Sequence, residues 1–265
     1  MDKRLDVLIY EKNLTKSREA AKELIKNNQI SVDGKIISKP SAIVSENADI
    51  MVIGDVLNYV SRGGLKLEKA INEFNISLNN KICMDIGAST GGFTDCMLQN
   101  GAKKVYAVDV GHSQLVPELS DDFRVINMEK TNIRTLEKEK ISDIIEFISV
   151  DVSFISLKLV LPKISEIISD EGEIVALIKP QFECGKASLN KNGILKNKSD
   201  HISVLKNVIA YIRNDFTVKG LCFSPIKGGD GNVEYLIYLT KSGIDRQIEE
   251  KIIVEEAFKE LKGGL

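Results

Sequence analysis

Hydrophobic positions follow two regimes along the chain. Near the start, Leu5, Leu8 and Ile9 recur at helical spacing, and Ala21, Leu24 and Ile25 do so again in a stretch entered near Thr15 or Ser17. Two short helices are predicted there. Gln29-Ile-Ser-Val32 and Lys35-Ile-Ile37 then flank Asp33-Gly34, the pair favoured in the primed turn of a β-hairpin. Beyond residue 81, apolar runs at 82–86, 104–109, 123–127, 145–151 and 173–179 alternate with mostly helical stretches. Such alternation predicts an α/β fold, a mostly parallel sheet with helices on both faces. Leu65 to Phe74 reads as a helix before the first of these strands. Gly228-Gly-Asp-Gly-Asn232 turns the chain into Val233–Leu239, an alternating run suited to an antiparallel strand. Ile248, Ile252, Ile253 and Leu261 mark an amphipathic helix over 245–262.

The change of regime predicts two domains. Residues 1–60 form a small module, Ser61-Arg-Gly-Gly64 a linker, and residues 65–265 the larger domain. With 265 residues, 43% of them apolar, the chain can bury two cores. No apolar run approaches the ~20 residues of a membrane span, and Met1-Asp-Lys-Arg-Leu-Asp6 lacks an apolar signal core, so no export signal is expected. Cys83, Cys96, Cys184 and Cys222 are scattered without a C-x-x-C pair, as in a cytoplasmic protein with reduced thiols. With His112 and His201 the only histidines, no metal centre is expected.

A net charge of −2 argues against indiscriminate nucleic-acid binding, but the charge is unevenly placed. Residues 1–39 hold nine Lys/Arg against six Asp/Glu, whereas residues 40–60 hold none against three. Arg18, Lys22 and Lys26 fall on one face of the second helix. By spacing alone this row either solvates the helix or grips phosphates.

Asp85-Ile-Gly-Ala-Ser-Thr-Gly-Gly-Phe-Thr94 carries the most chemistry. Its glycines lie between an apolar run and a helical stretch, where backbone can approach a ligand and helix N–H groups face an anion. The dinucleotide spacing G-x-G-x-x-G is broken, because Gly87 is followed by Ala88-Ser89-Thr90 before Gly91, Gly92 and Phe93. Asp85 suits a ligand with an ammonium beside its carboxylate, as in the methionine part of S-adenosylmethionine. Asp109 ends the next strand, where ribose hydroxyls are held in such folds. A nucleotide site and a plain structural turn are the competing readings.

Ligands of open α/β sheets sit beyond the carboxyl ends of strands, which directs attention to Asp151 and Lys179, each closing an apolar run. Asp151 is either a site acid or a helix N-cap, and Lys179 either a cleft lysine or one reaching to water. Lysine accepts a proton only in its neutral form, which burial or a neighbouring cation favours. Lys66 could supply that cation, and Glu234 could orient one lysine; from spacing alone both read equally as surface residues.

Two resemblances cover nearly the whole chain. Arg4-Leu-Asp-Val-Leu8, Ser17-Arg-Glu-Ala-Ala-Lys-Glu-Leu-Ile25, Ile30-Ser-Val-Asp-Gly-Lys35 and Lys39-Pro40 resemble the RNA-binding domain named after ribosomal protein S-four. That implies RNA contacts for Arg4, Arg18, Lys22 and Lys26. Lys66, Asp151, Lys179 and Glu234 follow the order of the Lys-Asp-Lys-Glu tetrad of FtsJ-like ribose 2′-O-methyltransferases. Together with Ser61-Arg-Gly-Gly-Leu-Lys-Leu67, Asp151-Val-Ser-Phe-Ile-Ser-Leu157 and Lys179-Pro-Gln-Phe-Glu183, they make the chain resemble the TlyA, or hemolysin A, family.

The resemblance implies a Rossmann-like, seven-stranded methyltransferase domain behind a small α+β module. It implies S-adenosylmethionine as cofactor, ribosomal RNA or ribosomal subunits as partner, and methylation of a cytidine 2′-hydroxyl. Lys179 is then general base, Asp151 and Glu234 orient the lysines, and Lys66 holds the hydroxyl. Asp85, Gly87, Ala88, Ser89, Gly91, Gly92, Phe93 and Asp109 seat the cofactor, with Glu129 on the adenine side. Base N-methylation is disfavoured because Asp151-Val-Ser-Phe154 lacks the paired prolines of that class. A non-catalytic RNA binder would need neither lysine, and a membrane-lytic protein would need an inserting segment that the sequence does not display.

Overall fold

The computed structural model describes residues 2–15, 17–26, 29–52, 58–185, 188–229 and 231–261. The chain divides into two compact units, Met1–Asn58 and Tyr59–Leu265.

In the first unit, β1 (Asp2–Arg4) leads directly into α1 (Leu5–Glu11) and pairs antiparallel with β4 (Ile43–Ser45). Helix α2 (Arg18–Lys26) starts where the sequence predicts, with the Ser17 hydroxyl accepting from Ala20 N at 3.1 Å as a cap. Strands β2 (Ile30–Val32) and β3 (Lys35–Ile36) form the expected hairpin, and β5 (Ile50–Val52) pairs on the other side of β2. Asp33 and Gly34 both take left-handed backbone, φ 50° and 76°, as a primed turn requires. Leu5, Ile9, Ala21, Leu24, Ile25 and Ile30 fill the core between helices and sheet.

The second unit is a seven-stranded sheet, with α4 (Gly92–Gln99), α5 (Pro117–Ser120) and α6 (Leu161–Ile167) among the helices between its strands. Its strands are β6 (Ile82–Ile86), β7 (Lys104–Val108), β8 (Val125–Met128), β9 (Ile145–Val150), β10 (Ile168–Ile178), β11 (Thr217–Phe223) and β12 (Tyr235–Thr240). The order is β11-β12-β10-β9-β6-β7-β8, with β12 antiparallel to both its neighbours and the rest parallel. Alternating residues feed two apolar layers. Met84, Ile86, Ile148, Ile174, Ala176 and Ile237 face one; Cys83, Phe147, Val175, Leu177 and Leu236 face the other. Both faces are therefore covered, as the near-continuous apolar runs require.

Several boundaries differ from the sequence reading. Strand β11 was not anticipated: Gly220 interrupts its apolar pattern, and the register shifts between Val218 and Gly220. Gly220 sits there because a Cβ would lie 2.6 Å from the Phe74 ring. Ser61–Gly64, read as a linker, belongs to the second unit, and Gly63 opens α3 (Gly63–Phe74). After β10 the structure forms α7 (Pro180–Glu183) and then α8 (Lys198–Ile212); residues 186–187 between them lie outside the described residues. The C-terminal helix α9 spans Glu250–Glu260; Lys262 of the expected helix, like Asp230 of the glycine turn, lies outside the described residues.

Candidate active site

Strands β6, β7, β9 and β10 end on one side of the sheet, and the sequence-singled residues of the second unit gather there. Lys66 stands in the first turn of α3, Asp151 directly after β9, Lys179 directly after β10 and Glu234 directly before β12. Lys66 Nζ donates to Glu234 Oε2 at 2.7 Å and lies 3.8 Å from Asp151 Oδ2. Lys179 Nζ lies 2.6 Å from Asp151 Oδ1, off hydrogen-bond geometry, and donates instead to Ser153 Oγ at 2.8 Å. Lys66 is 8%, Lys179 9% and Glu234 2% exposed. The structure thus buries Lys66 and Glu234, which spacing alone left equally on the surface. Two cations and two carboxylates alternate as Lys179, Asp151, Lys66, Glu234, so each buried charge has an opposite neighbour.

The loop carrying Asp151 is held at both ends. Asp151 N donates to Ile86 O at 2.9 Å, and Glu183 of α7 accepts from Ser156 Oγ at 2.6 Å and Leu157 N at 2.8 Å. Between these anchors Phe154 takes φ 63°, a genuine outlier for a bulky residue. Its ring is 89% exposed and packs 5.0 Å from that of Phe182. Ser153, Phe154 and Glu183 escaped the sequence reading as site residues, although all three lie inside the motifs that carry the resemblance.

The glycine turn is built for close approach, partly by protein. A Cβ on Gly87 (φ 87°) would lie 2.3 Å from Asp151 O, so this glycine lets the end of β6 meet the loop that carries Asp151. Gly91 (φ 99°) leaves room for Leu119, while Gly92 opens α4 (Gly92–Gln99) against Gly63 and Gly64 of α3. Ala88 and Phe93 are buried beside this turn, whereas Ser89 and Thr90 are exposed on it.

The acids differ in setting. Asp85 is wholly buried, because its side of β6 lies under α4. Its oxygens accept from Thr94 Oγ1 at 2.7 Å and Ser149 Oγ at 3.0 Å. Burial pushes it up to about 7 against those two hydroxyls, and the Asp151 charge adds to the rise. Asp85, the acid expected to suit a ligand ammonium, thus ties β6 to α4 through Thr94 and to β9 through Ser149. Asp109 is half-buried and accepts from Ser89 N at 2.8 Å and Gly111 N at 2.7 Å. Each oxygen keeps a further acceptor position for a hydroxyl. Glu129 caps a turn, accepting from Ser113, Gln114 and Leu115 N–H groups, which hold it down at about 2. An exposed turn opening a helix, beside an acid with spare acceptor positions and next to two buried lysines, fits an adenosyl ligand with an anionic tail.

In the first unit, Arg4 and Arg18 both grip Asp6, at 2.9 and 3.1 Å. Asp6 is buried and the Arg4 hydrogen bond, aided by Arg18, lowers it to about 2 against the cost of burial. The two arginines therefore carry scaffold duty as well as exposed charge, which the helical spacing did not reveal. Lys22 lies 3.4 Å from Glu19, and Lys26 is exposed at the end of α2.

Among the described residues no helix is long and apolar enough to cross a membrane, and no cluster of His, Cys, Asp and Glu could hold a metal ion.

Comparison with known proteins identifies the family. The family model of FtsJ-like methyltransferases matches residues 59–241 and that of the S4 domain residues 3–50. YqxC of Bacillus subtilis, named for rRNA methyltransferase activity, is 46% identical, with 98% of this chain and 95% of that protein covered. The 16S/23S rRNA (cytidine-2′-O)-methyltransferase TlyA of Mycobacterium tuberculosis is 36% identical, with 98% of each chain covered. A solved, hemolysin-named protein of Streptococcus thermophilus superposes with a TM-score of 0.80 at 46% identity, covering 99% of this chain and 98% of that one. An S4 domain followed by a sheet that assembles the Lys-Asp-Lys-Glu tetrad makes this chain a member of the FtsJ-like methyltransferases, in their TlyA group.

Proposed function

We propose that the protein methylates the ribose 2′-hydroxyl of a cytidine in ribosomal RNA, with S-adenosylmethionine as methyl donor. The observation that carries this reading is the alternating row of Lys179, half-buried Asp151, Lys66 and Glu234 at the strand ends. A protein that only bound RNA would have no use for two lysines buried with their carboxylates. The relative named TlyA is a 16S/23S rRNA (cytidine-2′-O)-methyltransferase, and its 36% identity over 98% of this chain supports the same chemistry here.

When bound, the cofactor supplies a methyl group already activated by positive sulfur, so the protein's main task is positioning. Lys179 accepts the 2′-hydroxyl proton. Asp151 fixes Lys179 on one oxygen and faces Lys66 with the other, and Glu234 anchors Lys66, whose ammonium holds the nucleophilic oxygen and offsets its developing charge. Gly87, Ala88, Ser89, Gly91, Gly92 and Phe93 form the cofactor turn, Asp109 offers acceptors to ribose hydroxyls, and Glu129 shapes the wall on the adenine side. Asp85 supports that turn from beneath. The exposed Phe154 ring at the mouth is a surface on which a nucleobase can stack.

Residues 1–60 would hold RNA, with Arg4, Arg18, Lys22 and Lys26 near phosphates, and residues 65–265 would catalyse. Such phosphate contacts weaken with salt. A ribosomal RNA substrate implies work in the cytoplasm. The test is incubation with methyl-labelled S-adenosylmethionine and unmodified small and large ribosomal subunits. Label in an alkali-resistant linkage at cytidine supports the reading, and label on a base overturns it.

A further inference from the structure

Lys179 must lose the proton it captures before the next turnover, and the structure surrounds it with few routes. Asp151 meets it from the end of β9, with Lys66 of α3 and Glu234 before β12 behind that carboxylate. The Phe182 ring lies on its α7 side, 5.9 Å from Nζ. Its hydrogen bond goes to the hydroxyl of Ser153, which is exposed. We propose that Ser153 is a positioning residue of this site and the outlet through which Lys179 returns its proton to water. The proposal rests on Lys179 being the base.

The local backbone supports this. Ser153 precedes Phe154, whose left-handed φ of 63° is strained for an aromatic residue. Such strain persists only where the surroundings enforce it. Here the Ile86 carbonyl fixes Asp151, Glu183 fixes Ser156 and Leu157, and Phe182 packs on Phe154. What this bend delivers to the cleft is the Ser153 hydroxyl, 2.8 Å from Lys179 Nζ.

A serine hydroxyl both accepts and donates. In the reaction, the 2′-oxygen forms its bond to the methyl carbon as the carbon–sulfur bond breaks and leaves its electron pair on sulfur. The 2′-hydroxyl proton moves to the Lys179 amine. The resulting ammonium donates to Ser153 Oγ, which receives that proton as its own hydroxyl proton passes to water. The amine is then neutral again and the serine unchanged.

The test compares Ser153→Ala and Ser153→Thr with the parent protein, using an RNA substrate shown to accept label. Ser153→Ala is expected to keep the dissociation constants for cofactor and RNA within about twofold. Its steady-state kcat should fall at least tenfold. Ser153→Thr, which keeps the hydroxyl, should recover kcat to within about threefold. A parental kcat in Ser153→Ala overturns the proposal, as does an equal loss in Ser153→Thr. Lys179→Met separates the two ideas. If it retains turnover, the base assignment itself fails; if it is inactive while Ser153→Ala is normal, the base stands and only the serine outlet falls.

Discussion

Lys66 and Glu234, 168 positions apart in the chain, form a 2.7 Å hydrogen-bonded ion pair beneath the cleft. Removing one partner of a buried pair leaves an uncompensated charge, typically at a cost of about 3–5 kcal/mol. Glu234→Ala is therefore expected to lower the unfolding midpoint in denaturant markedly and to abolish turnover. Glu234→Gln, which still accepts from Lys66, should keep most of the stability while losing much of the rate. Equal stability of the parent and Glu234→Ala proteins would show that the pair is not held as described.

Asp85 ties stability to pH in the direction opposite to an exposed ion-paired acid. Burial holds it at about 7, above the value near ~3.9 of an unfolded aspartate. Between those values the folded protein keeps a proton that the unfolded chain has lost. Its contribution is complete below pH ~4 and is lost as pH rises through about 7, with a slope of at most roughly 1.4 kcal/mol per pH unit. Thermal unfolding from pH 5 to 8 should show a shallower decline for Asp85→Asn than for the parent; parallel curves would contradict the assignment.

Gly87→Ala combines a left-handed φ of 87° with a Cβ 2.3 Å from the Asp151 carbonyl. Neither backbone can yield cheaply, so a loss of about 2 kcal/mol or more is expected. Because the clash bears on Asp151, kcat should fall further than folded fraction alone explains. The check is turnover normalised to folded protein measured by circular dichroism.

The first unit offers a separable test of RNA grip. Arg18 is tied to Asp6, so replacing it disturbs the scaffold as well as the charge. Lys22→Ala with Lys26→Ala probes phosphate contact more cleanly. It should reduce the salt dependence of RNA binding, as log K against log [salt], by about 1 to 2 units of slope. An unchanged slope would mean that this helix face is merely solvated.

What the sequence disclosed, and what it hid, follows from how each residue acts. The tetrad was legible because its members sit at strand ends and a helix start, and the resemblance supplied their order. The parallel strands were legible because they are buried on both faces. Strand β11 was hidden because a glycine needed for packing against Phe74 breaks its pattern. Asp6 was hidden because a short acid among basic residues signals nothing until the end of β1 and the start of α2 bring Arg4 and Arg18 onto it. The partners of Asp85 were hidden because its sequence neighbours are glycines; only the third dimension places Thr94 and Ser149 on its oxygens. Ser153 is one hydroxyl in a loop, and its meaning comes from a lysine 26 residues away.

The central claim, that Lys179 abstracts the 2′-hydroxyl proton within this tetrad, is met most directly by single-turnover methyl transfer with Lys179→Met. The variant should bind S-adenosylmethionine and ribosomal RNA as the parent does and yield no alkali-resistant methylated cytidine, while the parent yields it in one turnover. Methylated cytidine at the parental rate from Lys179→Met would contradict the claim.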